Sequence, residues 1–174
     1  MPQPCASIGL IDPKSPSNVG AVMRAAGCYR VDSVRYTGMR YARAARFHTD
    51  TQGVSQRIPL ISVNDVLDDL PAGTSVVCVE LVEGATALPA FRHPEQALYV
   101  FGPEDGSLSQ ALVDRADHVV YVPTVGCMNL AATVNVLLYD RLAKSSAGMG
   151  NDALIRESRD TNNRVRVNRP AAID

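Results

Sequence analysis

The sequence predicts an α/β fold: a mostly parallel sheet with helices on both of its faces. Short apolar runs alternate with segments of helical spacing along most of the chain, which is the rhythm of β-α-β units rather than of hairpins. Two of the runs, residues 75–81 (S-V-V-C-V-E-L) and 97–101, are almost continuously apolar, as strands are when both faces of a sheet are covered. The length of 174 residues is enough for one domain whose core needs no disulfide or metal staple.

Each element has its own signal. Residues 6–11 are a short apolar strand ended by Asp12-Pro13. Ser15-Pro16-Ser17-Asn18 is a helix start, and Val19, Val22, Met23 and Ala26 then recur at helical spacing as far as Gly27. Residues 31–37 read as the second strand. Residues 40–46 read as a short helix with Arg40, Arg43 and Arg46 near one face. Residues 63–70 are expected to be helical and closed by Pro71-Ala72-Gly73. Strands follow at 75–81, 97–101 and 118–122, with a helix at 107–115 and a long amphipathic helix at 129–142. After Lys144 the composition shifts, and Ser145-Ser146-Ala147-Gly148-Met149-Gly150-Asn151 reads as a linker. The expected organisation is one domain over residues 1–144 and a flexible polar tail over 145–174. Arg164, Arg166 and Arg169 make that tail either a basic arm for nucleic acid or a solvated end.

Composition narrows the class. Apolar residues make up 46% and charged residues 20%, values that exclude a collagen, a disulfide mini-scaffold and a mostly disordered chain. No apolar run is long enough for a membrane span, so no membrane partner is expected. The first residues lack the basic and apolar regions of a secretory signal, so a cytoplasmic location is expected. Cys5, Cys28, Cys78 and Cys127 form no C-x-x-C pair; they read as reduced, mostly buried thiols, with no metal site. The net charge of −1 hides a segregation: residues 24–57 carry seven arginines against two aspartates, whereas residues 58–117 carry ten acids against two arginines. A basic stretch of that kind suits a polyanionic partner.

Three turns that follow strands hold unusual polar residues, and in an open parallel sheet ligands bind beyond the carboxyl ends of strands. The first is Asn18-Val19-Gly20-Ala21-Val22-Met23-Arg24. Asn18 sits where a side chain caps a helix, and Arg24 lies among apolar or small neighbours, which reads as a partly buried guanidinium in need of a polar partner. The second is Phe101-Gly102-Pro103-Glu104-Asp105-Gly106-Ser107-Leu108-Ser109. Its two adjacent acids and missing lysine rule out a phosphate cradle, and Glu104 is placed to pair with an arginine or to accept from a ligand. The third, Val122-Pro123-Thr124-Val125-Gly126-Cys127-Met128-Asn129-Leu130, is too apolar for an ordinary exposed turn and is expected to line a pocket. The G-x-G-x-x-G, Walker A, H-E-x-x-H and G-x-S-x-G patterns are absent. Of the three histidines, His118 reads as structural and His48, beside the arginines, as a candidate RNA contact.

Taken together and in order, the three turns resemble the motifs of the SpoU/TrmH branch of the SPOUT RNA methyltransferases, over about residues 6–143. Ser17-Asn18-Val19-Gly20-Ala21-Val22-Met23-Arg24-Ala25-Ala26 resembles the first motif and Val100-Phe101-Gly102-Pro103-Glu104-Asp105-Gly106-Ser107-Leu108 the second. The third is carried by Val122-Pro123 and by Met128-Asn129-Leu130-Ala131 running into Leu137-Leu138-Tyr139-Asp140. The chain departs from the pattern in a shorter third loop, with five residues between Pro123 and Asn129, and in Cys127 and Ala131 where serines are usual.

The resemblance implies a C-terminal deep trefoil knot, S-adenosylmethionine bent within the knot loops, and a homodimer with a shared active site. It also implies methyl transfer to RNA (tRNA or rRNA), usually to a ribose 2′-oxygen. A base methyltransferase and a catalytically inactive knotted RNA-binding dimer remain the alternatives. The resemblance points to Arg24, in the role of a general base; a guanidinium pKa above ~12 argues against that role and for Arg24 as a positioner of phosphate that steadies the developing oxyanion. The resemblance also implies that Asn18 holds the ribose or orients Arg24, and that Glu104 anchors Arg24 or shapes its turn. Asn129 would fix the knot loop and contact substrate. Leu81, Gly102, Val122, Met128 and Leu130 would wrap the cofactor's adenine, and Arg40, Arg43 and Arg46 would hold RNA phosphates. No metal is required for such a transfer.

Overall fold

The computed structural model describes residues 5–45, 57–145, 150–159 and 165–167. Among the described residues seven strands form one sheet: β1 (Cys5–Leu10), β2 (Ser33–Tyr36), β3 (Leu60–Ser62), β4 (Ser75–Val79), β5 (Thr86–Ala87), β6 (Gln96–Phe101) and β7 (His118–Tyr121). Their order across the sheet is β3-β2-β1-β6-β4-β7-β5, and every pair is parallel. The helices are α1 (Pro16–Cys28), α2 (Arg40–Ala45), α3 (Gln110–Val113), α4 (Leu130–Lys144) and α5 (Asp152–Ser158). No helix among the described residues is long and apolar enough to cross a membrane.

The central strands are covered on both faces, as their continuous apolar character predicts. Val77 and Val79 of β4, with Tyr99 and Phe101 of β6, face Val22 and Met23 of α1 and Val134, Leu137 and Leu138 of α4. The alternate residues Val76, Cys78, Leu98 and Val100 face Val66, Leu108 and Leu112 on the other side. This is the two-residue periodicity of a strand put to use twice over. Of the four free cysteines only Cys78 is fully buried; Cys28 and Cys127 are exposed, which corrects the expectation of mostly buried thiols.

Residues 63–70 are turns and not the helix that their apolar spacing predicts. The Asp65 carboxylate accepts the Leu67 backbone N–H at 2.9 Å, a local bond that competes with helical hydrogen bonding. Asp69 adopts φ +52°, which a helix excludes. The segment still seals the sheet: Val66 is fully buried, and Arg35 donates to the carbonyls of Val66 and Asp68 at 3.1 and 2.6 Å. α3 is shorter than predicted, and α5 lies in the segment read as tail.

The C-terminal half of α4 is fastened by a polar network that is buried at the side chains of Tyr99 and His93 and partly exposed at Asp140, Arg141 and Lys144. The Asp140 carboxylate takes the His93 Nε2–H at 2.8 Å and the Lys144 ammonium at 2.7 Å. Tyr99 donates its hydroxyl to His93 Nδ1 at 2.7 Å and accepts from Arg141 at 2.9 Å. Arg141 also donates to the carbonyls of Pro94 and Glu95, and Lys144 to those of Leu88 and Phe91. Burial pushes the imidazole of His93 below its ordinary value despite Asp140, and pushes the Tyr99 hydroxyl up to about 12.

Candidate active site

The parallel sheet brings the ends of β1, β4, β6 and β7 to one edge, and the N-termini of α1 and α4 meet there. Each helix starts with a side-chain cap. The Ser15 hydroxyl accepts the Asn18 N–H at 3.3 Å, and the Asn129 side-chain oxygen Oδ1 accepts the Ala132 N–H at 3.0 Å, each satisfying one of the orphan donors of a first turn.

One side-chain chain of bonds joins the three turns. Glu104 Oε1 accepts the Ser15 N–H at 3.1 Å and the Asn18 amide at 3.2 Å, while Oε2 accepts the Lys14 N–H at 2.9 Å. The Asn18 side-chain oxygen Oδ1 in turn accepts the Asn129 amide at 3.2 Å. Burial would raise the Glu104 carboxyl, but these donors outweigh it and hold the group below the ordinary carboxylate range. The neighbouring Asp105 is also held low, chiefly by its hydrogen bonds from Arg40.

A cavity of about 360 Å³ opens beside this chain. Of the residues expected at the site, Asn18, Glu104 and Asn129 line it, as do Leu81, Gly102, Val122, Met128 and Leu130. Gly102 is there for space: a Cβ on it would stand 3.3 Å from both Glu80 Oε2 and the Leu108 nitrogen. Glu80 and Thr133 also line the cavity and carry no signal in the three turns, whereas Thr124 belongs to the third turn expected there. The signal for Glu80 was an acid directly after the apolar strand 75–79, at the carboxyl end where ligands bind.

The arginines are arranged differently from expectation. Arg24 is exposed on α1, not partly buried, and it does not line the cavity. Six residues beyond Asn18 puts it about 9 Å further along the helix axis. Arg40 is engaged within the chain: it donates to both Asp105 oxygens at 2.7 and 3.0 Å and to the Asp12 carbonyl at 2.6 Å, and its Nε lies 2.9 Å from the Asp12 carboxylate. Gly38, at φ +80°, makes room for that Asp12 side chain. Arg40 therefore ties the β1 and β6 turns to α2, and a phosphate at this guanidinium would have to displace a carboxylate. Arg43 is exposed on α2. Arg46 and His48, with Arg164 and Arg169 of the tail, fall outside the described residues.

The fold has solved counterparts. The SpoU methyltransferase AviRb from Streptomyces viridochromogenes, crystallised with the cofactor AdoMet, is 20% identical and aligns with a TM-score of 0.66 over 81% of this chain and 58% of its own. The TrmH/SpoU tRNA modifying enzyme from A. aeolicus is 19% identical, with a TM-score of 0.68 over 80% of this chain and 74% of its own. A protein solved in a study of 2-OH methylation of C/U34 on tRNA is 22% identical, with a TM-score of 0.68 over 81% and 90%. The chain spans 56–59% of the length of AviRb and of an rRNA methyltransferase from Sinorhizobium meliloti. No curated protein sequence matches it. The model of the SpoU rRNA Methylase family matches residues 6–139, a span that holds all three turns and every residue of the cavity wall. The chain therefore belongs to the SpoU rRNA Methylase family.

Proposed function

We propose that this protein is an S-adenosylmethionine-dependent RNA methyltransferase that modifies a ribose 2′-oxygen of tRNA or rRNA. The cavity carries this reading: it stands at the carboxyl edge of a parallel sheet and is walled by the three family motifs. Its size lies in the range of small-ligand pockets, about 300–1,000 Å³. Its walls suit such a cofactor. Val79, Leu81, Phe101, Val122, Met128 and Leu130 offer apolar surface to a flat base. The polar wall offers the amides of Asn18 and Asn129 and the carboxylates of Glu80 and Glu104, with no Lys, Arg or His among the described residues to favour a phosphate.

When bound, S-adenosylmethionine supplies a methyl group on a positively charged sulfur. The protein's own contribution is positioning and charge placement. The Glu104–Asn18–Asn129 chain holds two helix N-termini in register at the cavity mouth and presents amide groups to a substrate. A guanidinium, with a pKa above ~12, is not a useful base. Arg24 instead holds a phosphate or steadies the oxygen as its proton leaves to water.

The exposure of Arg24 supports a homodimer with a shared site. Its helix presents Gly20, Ala21 and Cys28 outward, and the adjoining α4 exposes Val136 and Tyr139. A second copy covering this face would bring one protomer's Arg24 toward its partner's cavity. The same reading includes the trefoil knot, a domain over residues 1–144, and a basic tail over 145–174 with Arg164, Arg166 and Arg169 as an RNA arm.

The test is calorimetric titration with S-adenosylmethionine, NADH serving as control, followed by transfer of labelled methyl to tRNA and rRNA and nucleoside analysis. Saturable binding and a 2′-O-methyl nucleoside are expected. A methylated base would replace the ribose assignment, and cofactor binding with no transfer to any RNA would leave a binding protein.

A further inference from the structure

The charge inventory of the cavity points beyond the cofactor's identity to its charge state. We infer that Glu80 makes the cavity discriminate the positively charged methyl donor from the neutral thioether left after transfer. This rests on the cofactor reading above.

Two carboxylates line the cavity, and no cationic side chain among the described residues does. The two acids differ in what they have left to offer. Glu104 accepts from Lys14, Ser15 and Asn18, which fills Oε1 and leaves one position on Oε2. Glu80 accepts a single N–H on each oxygen, from Leu81 at 3.0 Å and from Leu108 at 2.9 Å. A carboxylate oxygen has room for about two bonds, so each oxygen keeps one acceptor position. Among the described residues Glu80 forms no ion pair. Its two donors come from different turns, after β4 and after β6, so the carboxylate is held from two sides. Gly102 keeps the space next to Oε2 open.

An anion fixed in a concave, partly apolar wall and lacking a cationic neighbour favours a cation in that space. The methyl donor and its demethylated product share adenosine, ammonium and carboxylate. They differ in one methyl and in the charge on sulfur. Glu80, the cavity carboxylate with the more acceptor positions left and no ion pair among the described residues, is the one that registers that difference, so it favours the loaded cofactor over the spent one.

The test is calorimetric titration of the full chain with three ligands: S-adenosylmethionine, sinefungin (an ammonium in place of the sulfonium) and S-adenosylhomocysteine. Glu80→Gln is expected to weaken both cations by about tenfold, the equivalent of ~1.4 kcal/mol, and to leave the neutral ligand within about twofold. That neutral ligand also reports that the variant is folded. Glu80→Asp, which keeps the charge, should keep the preference. Equal losses for all three ligands would mean recognition of a shared group such as the ribose hydroxyls, and would overturn the inference, as would no change in any. If the unaltered protein binds none of the three, the cofactor reading fails and takes this inference with it.

Discussion

Asn129 donates its side-chain amide to the side-chain oxygen Oδ1 of Asn18 across 3.2 Å, joining two helix N-termini that lie 111 residues apart in sequence. The same Asn18 amide donates to Glu104, so one half-buried side chain orients residues from both other turns. Asn18→Ala removes both bonds and should lower turnover by about 10–100-fold through misplacement rather than lost chemistry. Asn18→Asp should be worse, because it sets a second carboxylate against Glu104. Single-turnover methyl transfer by the two variants, beside their cofactor affinities, checks the order.

Gly102→Ala puts a methyl 3.3 Å from both Glu80 Oε2 and the Leu108 nitrogen. Either the Glu80–Leu108 bond breaks or the turn moves. The expected cost is about 1–3 kcal/mol of stability, with a loss of cofactor binding larger than that of Glu80→Gln. Thermal melts and the same titration measure the two effects.

Arg40 and Arg43 should separate in their effects on RNA. Arg43 is exposed on α2, and Arg43→Ala should weaken RNA at low salt and reduce the slope of log affinity against log salt by ~1. Arg40→Ala breaks the bonds to Asp105 and Asp12 and should lower the melting temperature even without RNA. An unchanged melting temperature would return Arg40 to a purely phosphate-binding role.

His93 gives a pH dependence with a definite sign. Burial holds its folded pKa below the ordinary 6.5, so as pH falls through that value the unfolded chain takes up the proton first. Stability therefore falls with pH from about 6.5 downward. Glu104 and Asp105, held low in the fold, begin to add their own loss as pH falls into the ordinary carboxylate range and continue below it. Melting temperatures from pH 7.5 to 5 should decline for the unaltered protein and more weakly for His93→Gln.

Much of this was legible in the residues. β4 and β6 were readable because strands covered on both faces are almost continuously apolar, β1 and β7 as short, mostly apolar runs, and α1 and α4 because caps and helical spacing agreed. β3 and β5 have three and two residues, too short to carry a pattern. Residues 63–70 misled because helical apolar spacing also suits a run of turns that buries Val66, and only the Asp65 bond to Leu67 decides between them. The polar site residues announced themselves as odd residues after strands. Arg24 did not follow its local pattern: apolar neighbours in sequence lie on the other side of the helix, so they say nothing about burial of the arginine itself. Glu80 was hidden because it sits inside the predicted strand 75–81, although the strand ends at Val79 and Glu80 begins the turn.

α4 has its N-terminal cap at the cavity and its other end locked to His93, Tyr99 and the 88–95 segment. Fifteen residues make a rod about 22 Å long, and a rod transmits an axial slip from one end to the other almost undiminished. Lys144→Ala, which removes the ammonium from Asp140 and from two carbonyls, would then act at a distance as though Asn129 itself had been moved. A random library scored only for methyl transfer should thus return hits at the far tip of this helix, and a map of those hits drawn without the structure would mistake an anchor for a second active site.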